Sequence, residues 1–308
     1  MRIAIVGAGG VGGYFGGRLA TAGSDVVFIA RGAHLNALRT NGLRIESPGG
    51  QLNLHRVAAT DDPTTVGAVD AVLFAVKMYD VEQAASLLPP LVGADTVVVP
   101  FQNGVDGVSM LQRAIDPKHV AGGVAYVAAV IEAPGVIRHT AMEHLLFGEL
   151  DGTRSARLLR LLDACQAAGF QATLSEQIET DIWAKFVRLA VFSGMTCVTR
   201  SPIGPLRDDP DLFAMIQAAF LEGMKVAHAK GVPLPRRVFD EAVTMTQALP
   251  PQAKSSMLED LERGKRLELP WLSGALVRIG GELDVETPIH RFIATVLKPH
   301  ADGRSSLG

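Results

Sequence analysis

The chain has 308 residues, a length that favours two domains over one. Hydrophobic residues make up 48% of the sequence and charged residues 20%, which is typical of a globular protein with ample material for a core. The formal net charge of −3 gives no electrostatic reason to expect nucleic acid or an anionic membrane as a partner, and no long apolar stretch free of glycine clusters predicts a membrane span. We therefore expect a cytoplasmic protein.

The first predicted element is a short β-branched strand at residues 3–6 that runs directly into a glycine-rich turn. The turn reads G-x-G-x-x-G and leads into an amphipathic helix predicted over 11–22. Gly7 would make the tight turn, Gly9 would let backbone approach phosphate oxygens, and Gly12 would let the helix pack close to the strand. A bare strand-to-helix turn is the alternative. We predict a dinucleotide pyrophosphate site made by Gly7, Ala8, Gly9, Gly10, Val11 and Gly12.

The second strand, predicted at 26–30, is followed by a basic residue where many NAD-binding proteins carry an acid. That residue is Arg31, whose guanidinium suits the 2′-phosphate of NADP(H). A solvent-facing arginine unrelated to the cofactor is the alternative. The sequence therefore favours NADP(H) over NAD(H).

Polar side chains follow two later strands, predicted at 71–76 and 96–99, after a hairpin predicted at 43–46 and 52–56. Lys77 ends the first of these strands, and Asn103 lies in the Pro-Phe-Gln-Asn-Gly segment after the second. Ligands of parallel sheets bind outside the carboxyl ends of the strands, so both residues are expected at the nicotinamide end of the cofactor. A solvated lysine and a simple Asn-Gly turn are the alternatives.

Further strands are predicted at 120–127, 136–139 and 145–148, which completes an alternation of strands and helical stretches up to about residue 175. Several of these strands are continuously apolar, as in a parallel sheet covered on both faces. The N-terminal part, 1–175, is therefore predicted to be a Rossmann-like dinucleotide-binding domain.

Helical periodicity replaces the strand pattern after residue 175. Helices are predicted at 178–198, 212–230, 236–248, 267–281 and 288–297, with breaks at 201–205, 231–233 and 249–251. The fold class is thus α/β, with an all-helical C-terminal domain over 176–308 that ends in a short tail, 301–308, expected to be mobile. The apolar helices are compatible with a homodimer, and burial within one chain explains them equally well.

Three positions in the helical half carry chemistry in apolar surroundings. Lys185 lies in the middle of an apolar helix, where an unpaired charge is costly unless it faces a cleft. A Ser255-Ser256 pair opens a helix, and Glu268 lies in an apolar segment. The alternatives are a surface lysine, a helix N-cap and a surface carboxylate. Cys165 and Cys197 lack metal-ligand spacing, so no metal site is expected.

These motifs together resemble those of the ketopantoate reductases (2-dehydropantoate 2-reductases) from residue 1 to about 299. The resemblance rests on G-x-G-x-x-G, Val76-Lys77, Gln102-Asn103-Gly104, Trp183-x-Lys185 and the Ser255-Ser256-Met257-Leu258 run with Glu268 twelve residues past Ser256. It implies NADPH-dependent reduction of a 2-oxo acid, nominally 2-dehydropantoate to pantoate in pantothenate biosynthesis, with the nicotinamide in a cleft between the two halves.

The resemblance also implies roles for individual residues. Lys185 looks like the general acid that protonates the carbonyl oxygen, and Glu268 like its partner near cofactor and substrate. Asn103 would touch both the nicotinamide ribose and the substrate, and Ser256 would bind the substrate carboxylate. Ala128 falls where the family backbone approaches NADP.

The sequence departs from the family pattern at the substrate end. Leu189, Ser193 and Ile203 stand where the family carries amides that grip the hydroxyl of ketopantoate, and Asp80 stands where it often carries Gln. Ser193 is the polar member of the first three and is our candidate substrate contact. A more apolar branched 2-oxo acid, an opine-type dehydrogenation, and a non-catalytic NADP(H) sensor are therefore alternatives. The joint presence of Lys185, Ser256 and Glu268 argues against the sensor.

Overall fold

A computed structural model describes residues Met1–Gly303, and the chain divides into two units by its internal contacts. The sheet unit comprises Met1–Gln102 and Asp106–Ile178, and the helical unit comprises Asn103–Val105 and Glu179–Gly308. A single boundary in the sequence does not describe this division, because three residues of the first half belong with the helices. The tail predicted at 301–308 falls largely on residues 304–308, which lie outside the described residues.

The sheet unit is built on a parallel sheet with β1 at its centre. The strand order is β5-β2-β1-β6-β7, so β2 and β6 flank β1 on either side. The strands of this sheet are β1 (Arg2–Val6), β2 (Asp25–Ile29), β5 (Ala58–Thr60), β6 (Val69–Phe74) and β7 (Val92–Pro100). The inner strands are almost continuously buried, which confirms the prediction of a parallel sheet covered on both faces.

A second, mixed sheet has the order β10-β9-β3-β4, with β8 antiparallel to β9. Its strands are β3 (Leu43–Ser47), β4 (Gly50–Leu54), β8 (Gly122–Ala133), β9 (Val136–Gly148) and β10 (Gln171–Leu174).

Two strand predictions are corrected by this sheet. The separate strands expected at 136–139 and 145–148 are one strand, because pairing with β8 continues through the polar residues between them. The second hairpin strand begins two residues earlier than predicted. The reason is that Ser47 pairs with Gly50 across a two-residue turn.

Five helices accompany these sheets, and α1 is the one that positions the site. The helices are α1 (Gly10–Thr21), α2 (Gly32–Asn41), α3 (Val81–Ala85), α4 (Gly107–Ala114) and α5 (Ala156–Ala167). A side chain at Gly16 of α1 would meet Phe28 and Ile5 at 2.7 and 2.8 Å, so α1 lies directly on β1 and β2. Ile3, Ile5 and Phe28 are fully buried in the core of this unit.

The helical unit packs seven helices of the described chain around its own core. They are α6 (Ile178–Thr199), α7 (Ile203–Asp208), α8 (Pro210–Ala229), α9 (Arg236–Ala248), α10 (Ser256–Glu262), α11 (Ser273–Glu282) and α12 (Pro288–Leu297).

Two helix predictions are wrong in detail. The stretch 267–281 is a 3₁₀ turn, Leu269–Trp271, followed by α11, because Pro270 interrupts the backbone hydrogen bonds. The break expected at 201–205 overlaps the start of α7, since Pro202 precedes its first turn and Pro205 lies within that turn, where no amide is needed.

The central helix α6 is long and apolar enough to cross a membrane by length and composition. In its most apolar 18-residue window, 56% of the residues are buried inside the protein. One such helix is weak evidence of a membrane span, because the core helix of a protein in water meets the same criteria.

Candidate active site

The glycine-rich turn has the geometry that a dinucleotide loop requires. Gly7 has φ +95°, and a Cβ there would lie 2.7 Å from the Val76 amide nitrogen. A Cβ at Gly12 would collide with the Gly7 carbonyl oxygen, which explains how α1 begins so close to β1. The positive φ and both close approaches exclude any larger residue at these two positions.

The open side of this turn fits an anion. Gly9 is the N-cap of the 12-residue helix α1, and a Cβ there would meet no atom within 4 Å. The first amides of a helix have no intrahelical partner, and the first turn of α1 contains no acidic side chain. On its other side, Gly10 lies against the Ala129 carbonyl of β8, next to Ala128, where the register of β8 with β9 shifts. The space at Gly9 is the cradle that a pyrophosphate would fill.

Charged residues follow the two strands that flank β1. Arg31 is in extended conformation between β2 and α2, and its Nη2 lies 3.0 Å from Oδ1 of Asp80. Asp80 closes a short 3₁₀ turn after β6, in which its amide donates to the carbonyl of the half-buried Lys77 at 2.9 Å. Arg31 is exposed, as a solvent-facing arginine would be, and it also forms an ion pair with Asp80.

Three predicted site residues form a chain of hydrogen bonds in the helical unit. Lys185 Nζ donates to Asn103 Oδ1 at 3.1 Å, and Asn103 Nδ2 donates to Glu268 Oε2 at 3.2 Å. Lys185 is half-buried on α6, and Glu268 is only 5% exposed. Glu268 is therefore not a surface carboxylate, and Lys185 is not a lysine that merely extends into water.

The turn after Asn103 explains how this amide reaches its partners. Gly104 has φ +100°, and a Cβ there would lie 2.8 Å from the carbonyl oxygen of Trp271. Asn103 and Gly104 thus press against the 3₁₀ turn that follows Glu268. The Asn-Gly pair is a tight turn, and that turn is what brings the Asn103 amide to Glu268.

The surroundings of Lys185 change how it titrates. The pKa of Lys185 is lowered from 10.5 to about 8: burial lowers it most, the charge of Arg188 also lowers it, and the Glu268 carboxylate raises it. An ammonium with this pKa is charged at neutral pH and gives up its proton more readily than a surface lysine. Arg188 was missed from the sequence, where its only signal is a second cation three residues after Lys185 on the same helix.

The two serines at the start of α10 have different surroundings. Ser255 is the N-cap: its Oγ accepts from the Leu258 amide at 3.0 Å and lies 2.8 Å from the Thr196 hydroxyl. Ser256, the first residue of α10, is exposed. The capping alternative thus holds for Ser255 and leaves the Ser256 hydroxyl for another role.

The remaining candidate, Ser193, is fully buried, and its Oγ has no hydrogen-bond partner among the described residues. Leu189 is half-buried one turn from Lys185 on the same face of α6, and Ile203 is buried at the start of α7. The positions where an amide was expected are therefore largely withdrawn from solvent.

Comparison with known proteins agrees with this geometry. Residues 3–152 match the family model of the ketopantoate reductase PanE/ApbA, and residues 177–301 match the model of its C-terminal domain. A 2-dehydropantoate 2-reductase from Mesorhizobium japonicum is 33% identical over 94% of this chain and 94% of its own length.

Solved structures show the same relationship. The crystal structure of a PanE/ApbA family ketopantoate reductase from Ralstonia eutropha superposes with a TM-score of 0.89, at 32% identity over 98% of each chain. A D-mandelate dehydrogenase solved with NADH and anilino(oxo)acetate shares the fold, with a TM-score of 0.89 at 21% identity over 98% of each chain. The chain therefore belongs to the ketopantoate reductase family, a family of dinucleotide-dependent oxidoreductases.

Proposed function

We propose that this chain reduces a 2-oxo acid with NADPH, with 2-dehydropantoate as the nominal substrate and pantoate, in pantothenate biosynthesis, as the product. The observation that carries the proposal is the hydrogen-bonded chain Lys185–Asn103–Glu268. It joins a poised proton donor to an amide and a buried carboxylate, which cofactor binding by itself does not need. The relative from Mesorhizobium japonicum is named a 2-dehydropantoate 2-reductase.

The proton half of the reaction belongs to Lys185. Reduced nicotinamide, when bound, supplies a hydride to the carbonyl carbon of the substrate. Lys185 Nζ then donates a proton to the carbonyl oxygen, and its positive charge stabilises the developing alkoxide. Asn103 holds Nζ in position by accepting one of its hydrogens, and Glu268 favours the charged form of the amine.

The cofactor contacts divide between phosphates and nicotinamide. The turn from Gly7 to Gly12 would bind the pyrophosphate through backbone amides, with the backbone at Ala128 nearby, and Arg31 would bind the 2′-phosphate. Lys77, Asn103 and Glu268 would serve the nicotinamide end.

The substrate end favours a second candidate, a 2-oxo acid more apolar than ketopantoate. Ser256 is exposed and would bind the carboxylate, but Leu189 and Ile203, at positions where the family carries amides, offer no side-chain hydrogen bond to a substrate hydroxyl. Ser193 is fully buried, so its hydroxyl does not face solvent in this structure. A site without polar partners cannot compensate the desolvation of a hydroxyl, so branched apolar substrates gain relative to ketopantoate.

A panel of 2-oxo acids tests the proposal, with NADPH consumption followed by absorbance. We expect turnover with ketopantoate or a branched apolar analogue. Lys185→Ala should lower kcat by about 10²- to 10⁴-fold while the Kd for NADPH stays within about twofold. Lys225→Ala, which removes an exposed lysine of α8, is the matched control and should leave turnover unchanged.

Two results would contradict the proposal. Full turnover in Lys185→Ala would show that Lys185 is not the proton donor. A silent panel combined with tight NADPH binding would favour the non-catalytic sensor.

A further inference from the structure

The ion pair between Arg31 and Asp80 is the starting point. Arg31 Nη2 lies 3.0 Å from Asp80 Oδ1, and Arg31 Nη1 donates to Gln83 Oε1 at 3.3 Å. The Arg31 side chain is 70% exposed and that of Asp80 28%. The cation proposed to receive the 2′-phosphate therefore already has a carboxylate partner.

This pair crosses the end of β1 directly beside the glycine-rich turn. Arg31 follows β2 and Asp80 follows β6, the two strands that flank β1. Gly7 lies close to both sides, because its amide donates to the Ile29 carbonyl at the end of β2 and a Cβ on Gly7 would lie 2.7 Å from the amide nitrogen of Val76, beyond β6. Two strand spacings amount to about 10 Å. The long Arg31 side chain spans this distance together with the segment after β6 that carries Asp80.

The electrostatic consequence concerns the difference between the two nicotinamide cofactors. A ribose 2′-phosphate carries a charge of about −1.5 to −2, so it is attracted by Arg31 and repelled by Asp80. A 2′-hydroxyl is neutral and experiences neither effect at comparable strength. The exposed pair is weak enough to exchange, so a phosphate can compete for Arg31, but the carboxylate stays nearby.

We propose that Asp80 is a specificity-determining residue that weakens the preference of this chain for 2′-phosphorylated dinucleotides. It neutralises Arg31 in the free protein and repels the 2′-phosphate in the complex. The inference rests on the proposed dinucleotide site and deepens it. The chain binds NADPH, and the Asp80 carboxylate reduces the difference in affinity between NADPH and NADH.

Binding of nucleotide fragments tests this without reference to catalysis. Calorimetric titration of the full chain with 2′,5′-ADP and with 5′-AMP compares ligands that differ by the 2′-phosphate. Asp80→Asn should tighten 2′,5′-ADP by about three- to tenfold and leave 5′-AMP within about twofold. Glu82→Gln is the matched control, since it removes an exposed carboxylate two residues away. It should change neither affinity.

The outcomes separate the inference from the function on which it rests. An unchanged affinity ratio in Asp80→Asn would overturn the inference, because Asp80 would then have no effect on the preference. Weaker binding of 2′,5′-ADP in that variant would overturn it too, because Asp80 would then orient Arg31 for the phosphate. Arg31→Ala should bring the two ligands to similar affinity. If it does not, the 2′-phosphate is bound elsewhere and the inference fails with it. Failure of every variant and of the unaltered chain to bind either ligand would overturn the dinucleotide site itself.

Discussion

Lys185 is held between groups that act on its proton in opposite directions. Burial and the Arg188 charge favour the neutral amine, and the Glu268 carboxylate favours the ammonium. The balance lies at a pKa of about 8, which keeps the proton in place at neutral pH and makes it available to an oxygen that gains negative charge.

This balance predicts a pH profile for reduction. The donor must be protonated, so kcat/KM should be level below the pKa of Lys185 and should fall about tenfold per pH unit above about 8. Glu268→Gln removes the group that raises the pKa, and the fall should begin at lower pH. Arg188→Gln removes a like charge, and the fall should begin at higher pH.

Initial rates at low substrate concentration across a pH series give the pH at which kcat/KM begins to fall in the unaltered chain and in each of the two variants. Arg188→Gln and Glu268→Gln serve as controls for each other, because their shifts have opposite signs. Profiles that coincide in all three proteins would show that another group limits the reaction.

At the scale of elements, the start of α1 depends on two neighbouring glycines for different reasons. Gly10 lies against the Ala129 carbonyl, so a side chain there must displace β8. At Gly9 a side chain meets nothing in the protein and instead occupies the space assigned to the pyrophosphate. A side chain at Gly10 would therefore disturb packing against β8, and a side chain at Gly9 would disturb cofactor binding.

The two glycines predict a contrast between folding and affinity. Gly10→Ala should lower the free energy of unfolding by about 1–3 kcal/mol or more, as overpacking against backbone does. Gly9→Ala should cost at most about 1 kcal/mol, the difference between Gly and Ala at an N-cap, yet weaken NADPH binding by tenfold or more. Denaturant unfolding and fluorescence titration with NADPH give the two readouts. Equal NADPH affinity in Gly9→Ala and the parent would argue against a pyrophosphate at this turn.

The start of α10 offers a second matched pair. Ser255→Ala removes the N-cap and the contact with Thr196, and we expect a loss of about 1–2 kcal/mol of unfolding free energy. Ser256→Ala should leave stability within about 0.5 kcal/mol and raise KM for the 2-oxo acid. Chemical unfolding and steady-state kinetics on both variants separate the roles. An unchanged KM in Ser256→Ala would remove its proposed contact with the carboxylate.

The bounds of an element can be predicted where they depend on the local sequence, and cannot be predicted where they depend on pairing with a distant strand. Helices α9 and α12 have the predicted bounds, because their apolar periodicity and flanking prolines are local properties. Strand β9 was divided in two, since its polar middle is held by pairing with β8 rather than by composition.

The same distinction applies to the site. Lys185 is conspicuous as a charge in apolar sequence, whereas the influence of Arg188 and of Asp80 depends on which side chains fold next to them.

At the scale of the whole molecule, the described residues form two hydrophobic cores that share no residue. Phe15 and Phe28 are in the core of the sheet unit, and Phe186 and Phe220 are in the core of the helical unit. A chain with separate cores need not unfold in one step.

Calorimetry should therefore give a measured enthalpy of unfolding larger than the van't Hoff value. NADPH at 100 times its Kd should add about 2.7 kcal/mol to the stability of the folded protein. Ser255→Ala should lower only the transition of the helical unit, and Gly10→Ala only that of the sheet unit. A single transition with equal enthalpies, shifted as a whole by both variants, would contradict independent unfolding.

The excursion of residues Asn103–Val105 from the sheet unit into the helical unit bears on any attempt to divide this protein. A fragment that starts at Glu179 would keep the ammonium and the carboxylate of the hydrogen-bonded chain but would lack the amide that bridges them. The complementary fragment would carry that amide away from both of its partners. A protein severed between residues 178 and 179 could regain the complete hydrogen-bonded chain, to which we assign proton transfer, only if the two fragments reassociate.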